Sequence, residues 1–300
     1  PSGLTIECAE QGRRGGASVL MLHGITDSWR LFEPVLPWLP QDWHVVSMTQ
    51  RGHGGSSVAA SLRTRDFAAD AAALVEVLGL PPVLLVAHSM GAVNALRLAM
   101  DRPQLVRGVV AAGAFASFSD KPEFVDFVRT QVLTLGNEVP RELAESFQRD
   151  TLAGPVAPGL LDAMVDECLR TPAASWRLAF AALLEDDFSA ELHKVRAPVL
   201  LPWGGADAFS PESDQQRLEW QLPRATRAVY AGVGHALHWE PPRRFAAAQD
   251  FLHTLRGDVG MGEAQRAGYM RFRVGGAAAH VQADEILQTL FQRMMHVPAI

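Results

Sequence analysis

Short apolar runs recur along this chain, and none keeps a strict alternation of apolar and polar residues. They are Val19-Leu20-Met21-Leu22, Val45-Val46-Ser47-Met48, Val83-Leu84-Leu85-Val86, Val109-Val110-Ala111-Ala112, Val199-Leu200-Leu201-Pro202 and Ala228-Val229-Tyr230. A strand with one face in water alternates, whereas an unbroken apolar run signals a strand covered on both faces, as in a parallel sheet. Residues 66–78 and 90–100 lie between such runs and carry apolar side chains at helical spacing. Strand and helix in alternation predict an α/β fold built on a mostly parallel, doubly wound sheet.

The rhythm breaks over residues 116–195. Helical patterns occupy 122–136, 140–151, 159–170 and 175–184 there, with no strong strand among them. This stretch is expected to be a helical lid inserted between two core strands, leaving 1–115 and 196–256 as the core. Residues 245–255 read as the last core helix. Residues 257–300 form a C-terminal extension. Its segment near 284–296 places Ile286, Leu287, Leu290, Phe291, Met294 and Met295 on one stripe, an amphipathic helix that could join a homo-oligomer or pack on the domain.

Charge and cysteine content narrow the function classes. The 300 residues carry 27 Lys and Arg against 33 Asp and Glu, a formal net charge of −6. That balance argues against a nucleic-acid partner, which needs a basic face to neutralise phosphates. Cys8 and Cys168 are the two cysteines; such a pair is no disulfide framework and points to a reducing, cytoplasmic setting. No run approaches the roughly 18 consecutive apolar residues of a membrane span, and Pro1-Ser2-Gly3 lacks the basic start of a secretory leader.

The chemistry begins at Leu84-Leu85-Val86-Ala87-His88-Ser89-Met90-Gly91-Ala92, where a strand meets a tight turn and a helix starts at once. Such a turn lifts the Ser89 hydroxyl above the sheet edge as a nucleophile. Small residues are required two positions before and after, where strand and helix backbones approach, and Ala87 and Gly91 supply them. The bland alternative is a surface serine in an ordinary strand–turn–helix. A serine hydroxyl needs a base, and His235 in Gly232-Val233-Gly234-His235 lies in a Gly-rich loop after the last strand. Asp207, just after the strand at Val199, is the candidate acid that orients the imidazole; Asp120 is held in reserve, and Asp214 falls inside a helix. His238 is the rival histidine. Its spacing of three from His235 hints at a metal pair, but no Cys or Glu cluster completes one, so no metal is expected.

A tetrahedral intermediate needs donors for its oxygen. The backbone N–H of Met90, directly after the nucleophile, and that of Ile25, in His23-Gly24-Ile25-Thr26, are assigned to that role. Asp27, Ser28 and Trp29 continue this loop and border the pocket. Phe115, Phe118, Trp176 and Leu237 are further candidates for its walls, with core packing as the alternative for each.

His23-Gly24, Arg51-Gly52-His53-Gly54-Gly55-Ser56-Ser57, His88-Ser89-Met90-Gly91, Gly204-Gly205-Ala206-Asp207 and Gly234-His235 follow one another as in the α/β-hydrolase fold superfamily. The chain resembles its lidded bacterial esterases and lactonases. The resemblance implies an eight-stranded sheet, a lid over the site, a structural role for residues 51–57 and no cofactor. Serine at position 89, rather than aspartate, disfavours the dehalogenase and epoxide-hydrolase branches. The expected activity is hydrolysis of small-molecule esters or lactones through an acyl-enzyme at Ser89. Other chemistry on the same triad stays open: carbon–carbon cleavage, perhydrolysis, or amide and thioester hydrolysis. So does a ligand receptor that keeps the fold.

Overall fold

A computed structural model describes residues 3–247. The expected C-terminal extension and most of the helix expected at 245–255 lie outside the described residues. Seven strands form one sheet: β1 (Cys8–Gly12), β2 (Ser18–Leu22), β3 (His44–Met48), β4 (Val83–His88), β5 (Val106–Ala112), β6 (Val199–Gly204) and β7 (Ala225–Tyr230). Their order is β1-β3-β2-β4-β5-β6-β7. Strand β1 pairs antiparallel with β3, and every other pairing is parallel.

Every apolar run named in the sequence lies on a strand. In β2, Leu20 and Leu22 enter the core on one face of the sheet while Val19 and Met21 enter the core on the other. Both faces of the strand are covered, so neither could tolerate polar alternation. Helices α1 (Thr64–Val77) and α2 (Met90–Asp101) cover the first face. Trp239 and Phe245, the latter in α8 (Pro242–Ala247), pack on the second.

The resemblance implied eight strands, and the described residues hold seven. The additional strand next to β3 that sequence reading passed over is β1. Cys8-Ala9-Glu10-Gln11-Gly12 has no apolar run because it is an edge strand with alternate residues exposed. Just before it, the chain is held by a loop rather than by another strand: Thr5 and Glu7 N–H groups donate to the Ser57 and Ser56 hydroxyls, each at 2.9 Å. The same loop is anchored by Arg51, whose guanidinium grips both carboxylate oxygens of Asp70 at 2.5 and 2.6 Å.

Between β5 and β6 run α3 (Pro122–Phe127), α4 (Arg141–Arg149), α5 (Leu160–Leu169) and α6 (Ala173–Glu185). The helix expected over 122–136 is α3 followed by a π-helical turn, Val128–Val132. An aromatic cluster joins these elements: Phe147 of α4 packs on Phe127, on Trp176 and Phe180 of α6, and on Phe209 of the core. Helix α7 (Glu212–Gln221) connects β6 to β7 and contains Asp214.

Candidate active site

The loops that follow β2, β4, β6 and β7 all leave the carboxyl ends of parallel strands, where an open α/β sheet forms its crevice beside the point at which strand order reverses. That reversal lies at the β2–β4 pair. Register brings Leu22 opposite Ala87, so the His23 loop and the Ser89 turn emerge side by side.

Ser89 has φ 53° and ψ −120°, and Thr26 has φ 69°; among the described residues these are the non-glycine positions with positive φ. Strain of this kind costs of order 1–3 kcal/mol and persists only where the surroundings hold it. Here it falls on the turn and the loop that face the crevice. A Cβ at Gly91 would lie 2.3 Å from the Leu22 carbonyl oxygen and 2.5 Å from that of His23. Glycine there lets the first turn of α2 press against β2, which brings its N-terminal N–H groups toward the crevice.

Asp207 Oδ2 accepts a 2.8 Å hydrogen bond from His235 Nδ1. The other oxygen, Oδ1, accepts from the Phe209 and Ser210 N–H groups at 2.8 and 2.9 Å. Both carboxylate oxygens are therefore fixed, and the bond leaves Nε2 of the ring free of that partner. Asp120 sits elsewhere, paired with Arg217 at 2.8 Å and with Lys121 at 3.3 Å. Asp214 pairs with Lys121 at 2.8 Å.

Ser89 and His235 line one pocket. Gly24, Ile25, Asp27, His88, Phe209, Ala236, His238 and Trp239 also belong to its core wall, and Phe124, Phe147, Gln148, Thr151 and Leu183 of the helical segment face them. Ile25, one of the two assigned backbone donors, is in that lining; Met90, the other, is buried at the head of α2. Of the aromatic and aliphatic wall candidates, Phe118 lines the pocket. Trp29, Phe115, Trp176 and Leu237 lie outside the lining, each for a packing reason. Trp29 turns out of the loop to stack beneath the Arg30 guanidinium. Phe115 sits behind Phe118, with ring centroids 3.7 Å apart. Trp176 is wholly buried against Phe147 and Phe180. Leu237 belongs to the core on the second face of the sheet.

Sequence reading missed the groups that brace this wall. His23 is buried under its own loop. Its Nδ1 lies 2.7 Å from the Gly24 carbonyl oxygen and its Nε2 accepts from the Gln50 N–H at 2.8 Å. Gln50 in turn donates to the His23 carbonyl oxygen and accepts from Asn94 of α2. Phe147 and Gln148 were also missed, because a helix outside the core pattern carries them. Burial pushes the pKa of His23, His88 and His238 well below the usual imidazole value and that of His53 down to about 4, so these rings are neutral. Burial pushes the Asp27 carboxyl up to about 7, partly opposed by a hydrogen bond from Gln148. His238, expected beside Trp239, packs on that ring and on His88. Among the described residues no three His, Cys, Asp or Glu side chains are placed to hold a metal ion. No helix among them is long and apolar enough to cross a membrane.

Comparison with known proteins agrees with this architecture. Over 245 residues the chain is 26% identical to the pimeloyl-[acyl-carrier protein] methyl ester esterase of Neisseria meningitidis serogroup C, covering 79% of this chain and 94% of that protein. An esterase from Exiguobacterium antarcticum superposes with a TM-score of 0.76 at 19% identity, covering 85% of this chain and 97% of that one. The enol-lactonase of Burkholderia xenovorans LB400 superposes with a TM-score of 0.73 at 17% identity, covering 84% and 98%. The family model described as alpha/beta hydrolase fold matches residues 17–242, a span that holds the strained serine turn, the Asp207–His235 pair and the helices facing them: the chain belongs to the α/β hydrolase fold family.

Proposed function

We propose that this protein hydrolyses carboxylic esters, lactones included, through an acyl-enzyme on Ser89. The observation that carries the reading is the 2.8 Å bond between Asp207 Oδ2 and His235 Nδ1, which fixes His235 at the pocket that the strained Ser89 turn also lines. With Nδ1–H held by the carboxylate, Nε2 is the ring's acceptor and takes the Ser89 proton as the hydroxyl oxygen attacks the ester carbonyl. The developing oxyanion is met by the backbone N–H groups of Ile25 and Met90, the latter at a helix N-terminus whose partial positive charge favours it. His235 then protonates the leaving alcohol. In the second half it takes a proton from water, whose oxygen attacks the acyl carbonyl, and returns that proton to Ser89. The methyl ester esterase relative supports ester chemistry on this scaffold, and the enol-lactonase neighbour shares the fold.

Residues 1–115 and 196–256 serve as the catalytic core in this reading, and 116–195 as a lid that sets substrate shape. Free Cys8 and Cys168 suit a reducing compartment. Phenylmethylsulfonyl fluoride tests the central claim. It should add one sulfonyl group to the peptide containing Ser89, stop turnover of p-nitrophenyl esters, and leave Ser89→Ala unlabelled and inactive. A Ser89→Ala variant with near-normal kcat refutes the reading.

A further inference from the structure

Ile25 carries one of the two backbone donors assigned to the oxyanion, and the loop around it is pinned on both sides by different parts of the molecule. Before Ile25 the core holds the chain. Gln50 Nε2 donates to the His23 carbonyl oxygen at 2.8 Å, and the His23 ring lies 2.7 Å from the Gly24 carbonyl oxygen. After Ile25 the helical segment between β5 and β6 takes over. The Thr171 hydroxyl, in the turn between α5 and α6, donates to the Thr26 carbonyl oxygen at 3.1 Å. The Cys168 thiol, in the last turn of α5, donates to the Thr26 hydroxyl at 3.2 Å. Gln148 of α4 donates to Asp27 at 2.7 Å. Three distant side chains thus converge on two consecutive residues.

Thr26 is the residue that needs such pins. Its φ of 69° is a conformation that a β-branched side chain resists, because its γ atoms crowd the neighbouring backbone. Strain of that kind persists only where the surroundings over-determine it. Thr26, Cys168 and Thr171 are all buried, so their bonds are shielded from solvent. A Thr26 carbonyl that lost Thr171 would be left buried and unpaired, a costly state that favours rearrangement of the loop. A return of Thr26 to negative φ swings the peptide that joins it to Ile25, and Ile25 with it.

We propose that Thr171, with Cys168 beside it, is a positioning residue: by holding Thr26 in the left-handed region it aims the Ile25 N–H at the oxyanion. Part of the geometry that stabilises the transition state is then set from the helical segment, which also shapes the pocket. The inference rests on the ester-hydrolase reading above.

The test replaces Thr171 by valine, which keeps the shape and removes the hydroxyl. On p-nitrophenyl butyrate, kcat of Thr171→Val should fall by about 10- to 100-fold, with KM within about threefold of the parent, as expected for an oxyanion donor that is misplaced rather than deleted. Two inhibitors separate positioning from packing. A trifluoromethyl ketone with a butyl chain accepts the Ser89 oxygen at its carbonyl carbon; the Ser89 proton passes to His235, and the former carbonyl oxygen becomes an oxyanion facing the Ile25 and Met90 N–H groups. The alcohol of the same skeleton forms no such adduct. In Thr171→Val the Ki of the ketone should rise by the factor that kcat loses, and the Ki of the alcohol should hold. Thr171→Ser restores the hydroxyl and should rescue both kcat and ketone binding. A parent-like kcat in Thr171→Val, even with a lowered melting temperature, overturns the inference. So do equal losses of affinity for ketone and alcohol, and a failure of Thr171→Ser to rescue. Should Thr171→Val not fold, Cys168→Ala must show the ketone-selective loss, and its absence overturns the inference. If the parent neither turns over the ester nor binds the ketone more tightly than the alcohol, the ester reading itself fails and this inference falls with it.

Discussion

The two walls of the pocket are held by different physics. The core wall is made of loops at strand ends, and its polar groups are fixed by directional bonds. Asp207 is held at both oxygens, His23 is wedged between Gly24 and Gln50, and His88 is tied to the His235 backbone. The facing wall, from α4 and its neighbours, is chiefly aromatic packing centred on Phe147. Hydrogen bonds fix position and angle, whereas ring packing fixes volume. One wall is therefore suited to placing a nucleophile and its base, and the other to measuring a substrate. They are joined next to His235: the Ala236 N–H donates to the Thr151 carbonyl oxygen at 3.0 Å. Beside it, Glu240 accepts from Gly234 and Ala153, one on each wall.

The sharpest way to break this contrast is Asp207→Asn. An amide can still accept from Phe209 and Ser210, but its NH2 group then faces His235 Nδ1 and favours the wrong tautomer. We expect kcat to fall by about 10⁴, roughly 5 kcal/mol in the barrier, with the melting temperature nearly unchanged. A loss under tenfold would mean that the core wall does not hold a working triad.

Gly91→Val tests the close approach beneath the Ser89 turn. A side chain at this position meets backbone oxygens, which cannot rotate away. Destabilisation of at least about 4 kcal/mol is expected in urea unfolding, in the range reserved for core overpacking and backbone effects. Parent-like stability would show that α2 does not press on β2.

On the other wall, Phe147→Ala should cost about 3 kcal/mol of stability, the low end for a phenylalanine because the ring also borders the pocket. Its kinetic signature should be a raised KM and a shift of the preferred acyl length, with kcat within tenfold of the parent. A kcat loss to match that of Asp207→Asn would erase the division of labour between the walls.

The most gradual effect is a pH slope. An unfolded chain releases the Asp27 proton above the ordinary pKa of 3.8, while the folded protein holds it to about 7. The folded state is the better proton binder across that window, so Asp27 lowers stability as pH rises through it, by at most about 1.4 kcal/mol per pH unit. The stability of Asp27→Asn relative to the parent should therefore climb from pH 4 to 7 and level off above, as read by denaturant titration at each pH. The buried histidines act oppositely. His23, His53, His88 and His238 resist protonation when folded, so their contribution is complete above pH 6.5 and is lost as pH falls below it. Both members of this pair carry the Asp27 difference alone, because the histidines are common to them.

Buried strands and the core wall were legible in the sequence because their determinants are local. An unbroken apolar run such as Val83-Leu84-Leu85-Val86 needs cover on two faces wherever it ends up. A strand, a turn and a helix compressed around Ser89 require small neighbours within two residues. The loop order of Gly24, Ser89, Asp207 and His235 follows from the strand order. What sequence alone did not decide depends on which distant surfaces meet. Trp176 and Phe147 are both large aromatics on helices of the same segment, yet Phe147 borders the pocket and Trp176 is sealed behind it. Asp27 is a loop carboxylate by sequence, and it becomes a buried acid only because α4 folds over it and supplies Gln148. Side-chain environment is set by packing between segments more than a hundred residues apart, and no local pattern encodes it; the strand periods and the tight turn are encoded within a few residues, where the chain's own stereochemistry acts.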